Sequence, residues 1–189
     1  MSVLEGQTRS ILVPLIRGKP TEISLEQQLI IVRWLVKTSM MHEFLAKGPY
    51  HFEPEERRAF MESFTLPAEM LVFLAAYGGT GHVLTRELLL PLLITRSDTR
   101  QASAVNAYSA TFAFSHLALQ IFTYRRPDEL KAATVQLFLP NPSSNVSWQE
   151  TAIQIWPNSS PVRWPPPLAF GNPGFEMFAN RWTAITEKP

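Results

Sequence analysis

The chain has 189 residues, 46% of them hydrophobic and 17% charged, with a formal net charge of +1 and no cysteine. That length suits one domain with a proper core, and the composition is globular rather than disordered. Disulfides, thiolate zinc sites and cysteine nucleophiles are excluded, and so nearly neutral a chain lacks the broad basic footprint of a nucleic-acid binder.

The opening Met1-Ser2-Val3-Leu4-Glu5-Gly6 has no basic region followed by an apolar run, so no signal peptide is expected. The most apolar stretch, residues 88–94, is too short to span a bilayer and contains Pro91. A cytoplasmic protein with no membrane partner is the expectation.

Residues 3–17 predict a helix with Leu4, Ile11, Leu12, Leu15 and Ile16 near one face, which Pro14 should kink or end before Gly18-Lys19-Pro20. Residues 24–43 carry the strongest pattern. Ser24 and Gln27 form a capping box, and Leu29, Val32, Val36, Met40 and Phe44 keep helical spacing. Trp34, Leu35 and Met41 widen the apolar surface, which predicts a helix central to the core that ends at Gly48-Pro49. If Trp34 is fully buried there, replacing it with alanine should cost about 3–5 kcal/mol. Pro54 suits the first position of a third helix, with Glu55 and Glu56 at its positive end, running to about Phe64.

Beyond Pro67 the texture becomes strand-like. Residues 70–77 predict a strand, Gly78-Gly79-Thr80-Gly81 a loop, and residues 83–94 read as either strand or helix. Tyr108, Ala110, Phe112 and Phe114 share one parity, whereas Leu117, Leu119 and Ile121 share the other. A bulge or a tight bend near Ser115-His116 should therefore separate two strand segments. Residues 135–139 are a further strand candidate. The tail holds Pro140, Pro142, Pro157, Pro161, Pro165, Pro166, Pro167 and Pro173 interleaved with Trp148, Trp156 and Trp164. Proline suits extended connection, the tryptophans should pack back on the domain, and a short helix near residues 174–182 should close the fold.

These elements predict an α+β fold: N-terminal helices packed on an antiparallel sheet, followed by a proline-rich C-terminal wrap. One domain over residues 1–189 is expected, helical over about 1–66, mainly strand over about 68–140, with the tail and its short helix over about 141–189.

Candidate chemistry is sparse. His42 and Glu43 adjoin on a helix, but Ala46 stands where H-E-x-x-H needs its second histidine, so no metal is expected. Arg33, Lys37 and Glu43 suggest a polar pocket at one end of the core, or simply surface charges with buried stems. The segment 78–82 lacks the spacing of a phosphate loop and reads better as a turn. Arg86, Arg96, Arg100, Arg125 and Arg126 meet only Glu87 and Asp98 over residues 86–126. With Tyr108, Phe112, Phe114, Phe122 and Tyr124 they would suit base stacking, although alternating strand aromatics more commonly form core.

The phrases Met1-Ser2-Val3-Leu4-Glu5, Leu15-Ile16-Arg17-Gly18, Trp34-Leu35-Val36-Lys37-Thr38 and Leu74-Ala75-Ala76-Tyr77 resemble the region that follows the nuclease motif in bacterial HNH endonuclease-like proteins. Ile155-Trp156-Pro157 and Trp164-Pro165-Pro166 are similar to the ends of such proteins. The likeness is spread over most of the chain through modest motifs. It implies that the cysteine-containing, zinc-binding module lies upstream in the family and is missing here, so no catalytic or zinc-binding residue carries over. The expected role is a non-catalytic accessory or interaction domain without a cofactor, supporting a nuclease module on another chain or holding another protein. Its candidate binding residues are Arg33, Lys37, Glu43, Arg96, Arg100, Arg125 and Arg126. The alternatives are a nucleic-acid-binding module, or an enzyme whose site gathers Lys37, His42, Glu43 and His116.

Overall fold

The structure, a computed structural model, describes residues 3–45, 50–96, 102–125, 135–136 and 148–182. Helix α1 (Val3–Ile16) runs through Pro14 instead of stopping there. It closes at Gly18, whose φ of 67° is the left-handed conformation that ends helices. Strand β1 (Thr21–Ile23) leads into α2 (Leu25–Leu45). The α2 capping box forms as its sequence suggests: Gln27 N donates to Ser24 Oγ at 3.2 Å, and Ser24 N to Gln27 Oε1 at 2.9 Å. Helix α3 (Pro54–Ser63) begins at its proline, with Glu53 N donating to Glu56 Oε2 at 2.8 Å. It ends on Phe64 in the left-handed region.

Five strands then follow: β2 (Met70–Tyr77), β3 (Val83–Arg96), β4 (Ala102–Phe114), β5 (Leu117–Tyr124) and β6 (Val135–Gln136). Residues 83–94 are thus strand. Pro91 is tolerated because β6 pairs only with Thr95 and Arg96, leaving the outer edge of β3 unpaired beside the proline among the described residues. The remainder of the 135–139 candidate lies outside those residues, as do Gly48 and Pro49. The tail supplies α4 (Trp148–Thr151), β7 (Ala152–Trp156), β8 (Val162–Trp164), β9 (Ala169–Phe170) and α5 (Asn172–Asn180). The tail is therefore more than extended connection. The main sheet runs β6-β3-β4-β5-β2-β7, with β9 parallel to the end of β2, while β8 pairs with β1 in a separate ribbon.

Both faces of this antiparallel sheet are covered. Val72, Leu74, Tyr108, Ala110, Phe112, Leu117, Leu119 and Ile121 pack with Leu12, Leu15, Ile31, Val32, Leu35 and Val36 of α1 and α2. Residues of opposite parity, among them Phe73, Ala75, Ala113, Ala118 and Phe122, meet Phe175, Phe178 and Trp182 in and just beyond α5. The parity change between β4 and β5 is a tight turn at Ser115-His116 that keeps both strands' apolar positions toward α1 and α2. Ser115 takes φ 53° there. Trp164 is buried and Trp156 half-buried, so both do pack back onto the domain.

Helix α2 differs from its expected stripe. Its buried line is Gln28, Ile31, Val32, Leu35, Val36, Ser39, Met40 and Glu43. Leu29 and Trp34 are half-buried and Phe44 is exposed, so the helix is not buried around its circumference. Trp34 sits at the rim of the core, edge-on to Phe114 with ring centroids 6.3 Å apart. The condition attached to a 3–5 kcal/mol alanine effect is therefore not met.

Gly78–Gly81 leads into strand β3, whereas a phosphate loop leads into a helix. Tyr77 Oη donates to Asn172 Oδ1, and Asn172 Nδ2 donates to Thr80 Oγ1 at 3.0 Å, pinning the loop to the start of α5. A side chain at Gly79 would place its Cβ 2.1 Å from Asn172 Oδ1 and 2.2 Å from Tyr77 Oη, so any larger residue would have to displace this clasp.

Candidate functional site

The last turn of α2 carries a buried carboxylate, Glu43, where the partial negative charge of a helix end disfavours it. Its Oε1 accepts the backbone N–H of His51, and its Oε2 accepts those of Phe52, at 3.4 Å, and Arg57 Nη2. Arg57 also donates from Nη1 to Met40 O at 2.8 Å and from Nε to Phe52 O at 3.1 Å. One guanidinium thus pairs with Glu43 and ties the last part of α2 to the start of α3 through the Met40 and Phe52 carbonyls. Burial nevertheless raises the Glu43 pKa, against the lowering effect of those backbone donors and of Arg57.

His51 is 5% exposed. Its ring stacks on Tyr108, with centroids 5.6 Å apart, and meets Phe52 edge-on. Burial, with Arg125 nearby, lowers its pKa to about 4, so the imidazole is neutral at pH 7. Tyr108 Oη donates to Glu87 Oε1 at 2.5 Å, and burial raises the phenol's pKa. The other Glu87 oxygen lies 2.9 Å from His42 Nδ1, close but poorly aligned for a hydrogen bond. Arg125, following β5, donates to Glu53 Oε1 at 2.6 Å, to Glu56 Oε2 at 3.3 Å and to the His51 carbonyl. Beside these groups is a cavity of about 430 Å³ lined by His51, Glu56, Pro67, Glu69, Tyr124 and Arg125 among others.

Of the candidate residues, Glu43 and Arg125 are brought together on the backbone of His51, the first accepting its N–H and the second donating to its carbonyl. Lys37 lies elsewhere on α2, with Nζ 2.5 Å from Glu5 Oε1 of α1. The half-buried Arg33 places its guanidinium over the Phe64 ring at 5.4 Å. Arg96 is the last residue of β3, paired with Val135, while Arg100 and Arg126 lie outside the described residues. Lys37, His42, Glu43 and His116 do not converge, because His116 sits in the β4–β5 turn against Gly18. Tyr108, Phe112, Phe122 and Tyr124 are buried and Phe114 is half-buried, so these rings form core and offer no stacking platform. Among the described residues, no three His, Asp or Glu side chains stand close enough to hold a metal, and no helix is long and apolar enough to cross a membrane.

His51, Arg57, Glu87 and Tyr108 are members of this cluster that periodicity did not reveal. The available signal was Glu43 itself, which falls on the buried line of α2 and so required a partner.

Next to the cluster a shallow apolar trough of about 340 Å³ runs between α2 and α3. Met40, Met41, Phe44, Leu45, Phe60 and Met61 line it, with Lys37 and Arg57. Phe44 is 66% exposed, and Leu45 and Met61 are each 73% exposed. Tyr50 stacks on Phe44 at 6.3 Å and extends the surface. Glu43 and Arg57 tie α2 to the segment that opens α3 beside this surface. No known protein family, curated protein or solved structure matches the chain.

Proposed function

We propose that this chain is a non-catalytic interaction domain that holds a protein partner on the surface made by the end of α2 and by α3. The observation that carries this role is the gathering of Met41, Phe44, Leu45, Tyr50 and Met61, all exposed, around one trough. Scattered exposed apolar residues are ordinary, but a contiguous patch is the mark of an interaction site. The charged residues support the same role. Lys37, Glu43, Arg57 and Arg125 are each engaged within the chain, as parts of a scaffold are. By the resemblance to the region downstream of an HNH motif, the first partner to consider is a nuclease module on another chain.

A photo-crosslinking residue placed at Phe44 tests this in cells, with Leu168, another exposed apolar position, as control. The expected result is a protein adduct at position 44 and none at 168. A nuclease among the adducts supports the accessory role. Equal labelling at both positions, or none at 44, overturns the assignment of this surface.

A further inference from the structure

The trough's occupant is set by what its lining leaves uncovered and by its charge. We propose that it is an amphipathic α-helix of the protein partner, laid between α2 and α3 with its apolar stripe on the methionines and carboxylates toward Lys37. This inference rests on the interaction role above. Leu45 and Met61 are each 73% exposed, so they stand as walls. A small ligand on the trough floor would leave those walls in water, whereas a helix about 10 Å across covers floor and walls together. Two neighbouring helices present the ridges and groove into which a third packs. Three of the chain's six methionines, Met40, Met41 and Met61, line this one trough. Their unbranched, polarizable side chains adapt to an incoming helix face.

Charge gives the helix its sign. Among the described residues, the ionisable side chains in the lining are Lys37 and Arg57, both cationic. Arg57 is anchored to Glu43 and two carbonyls and stays in place. Among the described residues Lys37 is held by one carboxylate, Glu5, whose side chain is 38% exposed. A partner carboxylate arriving along the trough joins or replaces Glu5 on Nζ, while a basic residue there finds no carboxylate among the described lining residues to pair with.

Methyl-labelled methionine makes the trough directly observable by NMR. The protein is titrated with a model amphipathic helix of about 16 residues carrying a leucine stripe flanked by glutamates. An isomer with lysines in place of the glutamates, and dodecanoate, serve as competing probes. The Met40, Met41 and Met61 signals should shift saturably with the acidic helix while Met70 and Met177 stay fixed. The lysine isomer should bind roughly tenfold more weakly at low salt, and Lys37→Glu should narrow or reverse that preference. The fixed signals of Met70 and Met177 report that the variant is folded. Equal binding of the two peptides overturns the charge argument. Dodecanoate shifting the three methyls while neither peptide does so makes the trough a small-amphiphile site. Silence from every probe overturns the helical occupant, and the crosslink at position 44 then decides independently whether the surface holds a protein at all.

Discussion

The two faces of the sheet are closed by different means. Toward α1 and α2 the contacts are mostly aliphatic, with long helices meeting Val72, Leu74, Leu117, Leu119 and Ile121. The other face is covered by nine-residue α5 and the two residues after it. There the strands present Ala75, Ala107, Ala113 and Ala118, and large rings descend onto them. Phe122 and Trp182 stack with centroids 3.8 Å apart, and Arg181 lies over Phe73 at 4.2 Å and over Phe178 at 4.4 Å. Small residues on the sheet and aromatic rings on the cover let a short helix seal a wide surface, because ring area replaces helix length.

The sharpest way to break the α5 face is Trp182→Ala. The side chain is fully buried, and its loss leaves a cavity over alanines that cannot fill it. The expected destabilisation is about 3–5 kcal/mol, read by chemical denaturation. A change below about 1 kcal/mol would mean that α5 is a minor contributor and that the α1–α2 face holds the sheet alone.

Acid separates the faces differently. His51, on the helical side, has a folded pKa of about 4 against an ordinary value of 6.5. The unfolded chain therefore binds the extra proton first as pH falls. Stability from this group is intact above about pH 6.5 and is lost progressively down to about pH 4, by up to roughly 3 kcal/mol. Glu43 works in the opposite direction, since its raised pKa favours the folded state as the carboxylate takes up a proton. Burial pulls Arg181 on the other face down to about 9, so it stays charged throughout this window. His51→Gln should flatten the fall between pH 7 and 4 measured by urea midpoints. An unchanged slope would assign the acid sensitivity to other groups.

Trp34→Ala is the mildest of the three. A half-buried ring at the rim of the helical face should cost about 1.5–2.5 kcal/mol, roughly half the effect of full burial. A loss as large as that of Trp182→Ala would show that the rim is as tightly packed as the centre.

Local signals in the sequence were legible wherever a neighbour within four residues satisfied them. The Ser24–Gln27 box, the proline opening α3 and the parity change around Ser115 all belong to that class. The helix expected over residues 3–17 forms as well, with Pro14 absorbed in the last turn of α1, which closes on Gly18. The α2 stripe drifted from Leu29 and Phe44 onto Gln28 and Glu43 because buried polar residues with tertiary partners count as interior, and hydrophobicity alone does not register them. The site was the least legible part. Glu43, His51, Arg57, Glu87, Tyr108 and Arg125 come from two helices, a loop and three strands or strand ends. Only the pairing of β3, β4 and β5 brings the last three within reach of α2. The trough was hidden for a related reason: Met41 and Phe44 read as core by their spacing and hydrophobicity, yet both are exposed, as is Leu45.

The order of the chain has a consequence for synthesis. Everything that builds the sheet from β2 to β5 leaves the ribosome before α5. Until Phe175, Phe178 and Trp182 emerge, the growing chain carries an open, ring-lined surface over Phe73 and Phe122. The clasp between Asn172 and the Tyr77–Thr80 loop cannot close sooner either. The nascent protein is thus most prone to stick to its neighbours in the interval between β5 and α5, and translation speed across the proline-rich tail sets how long that interval lasts.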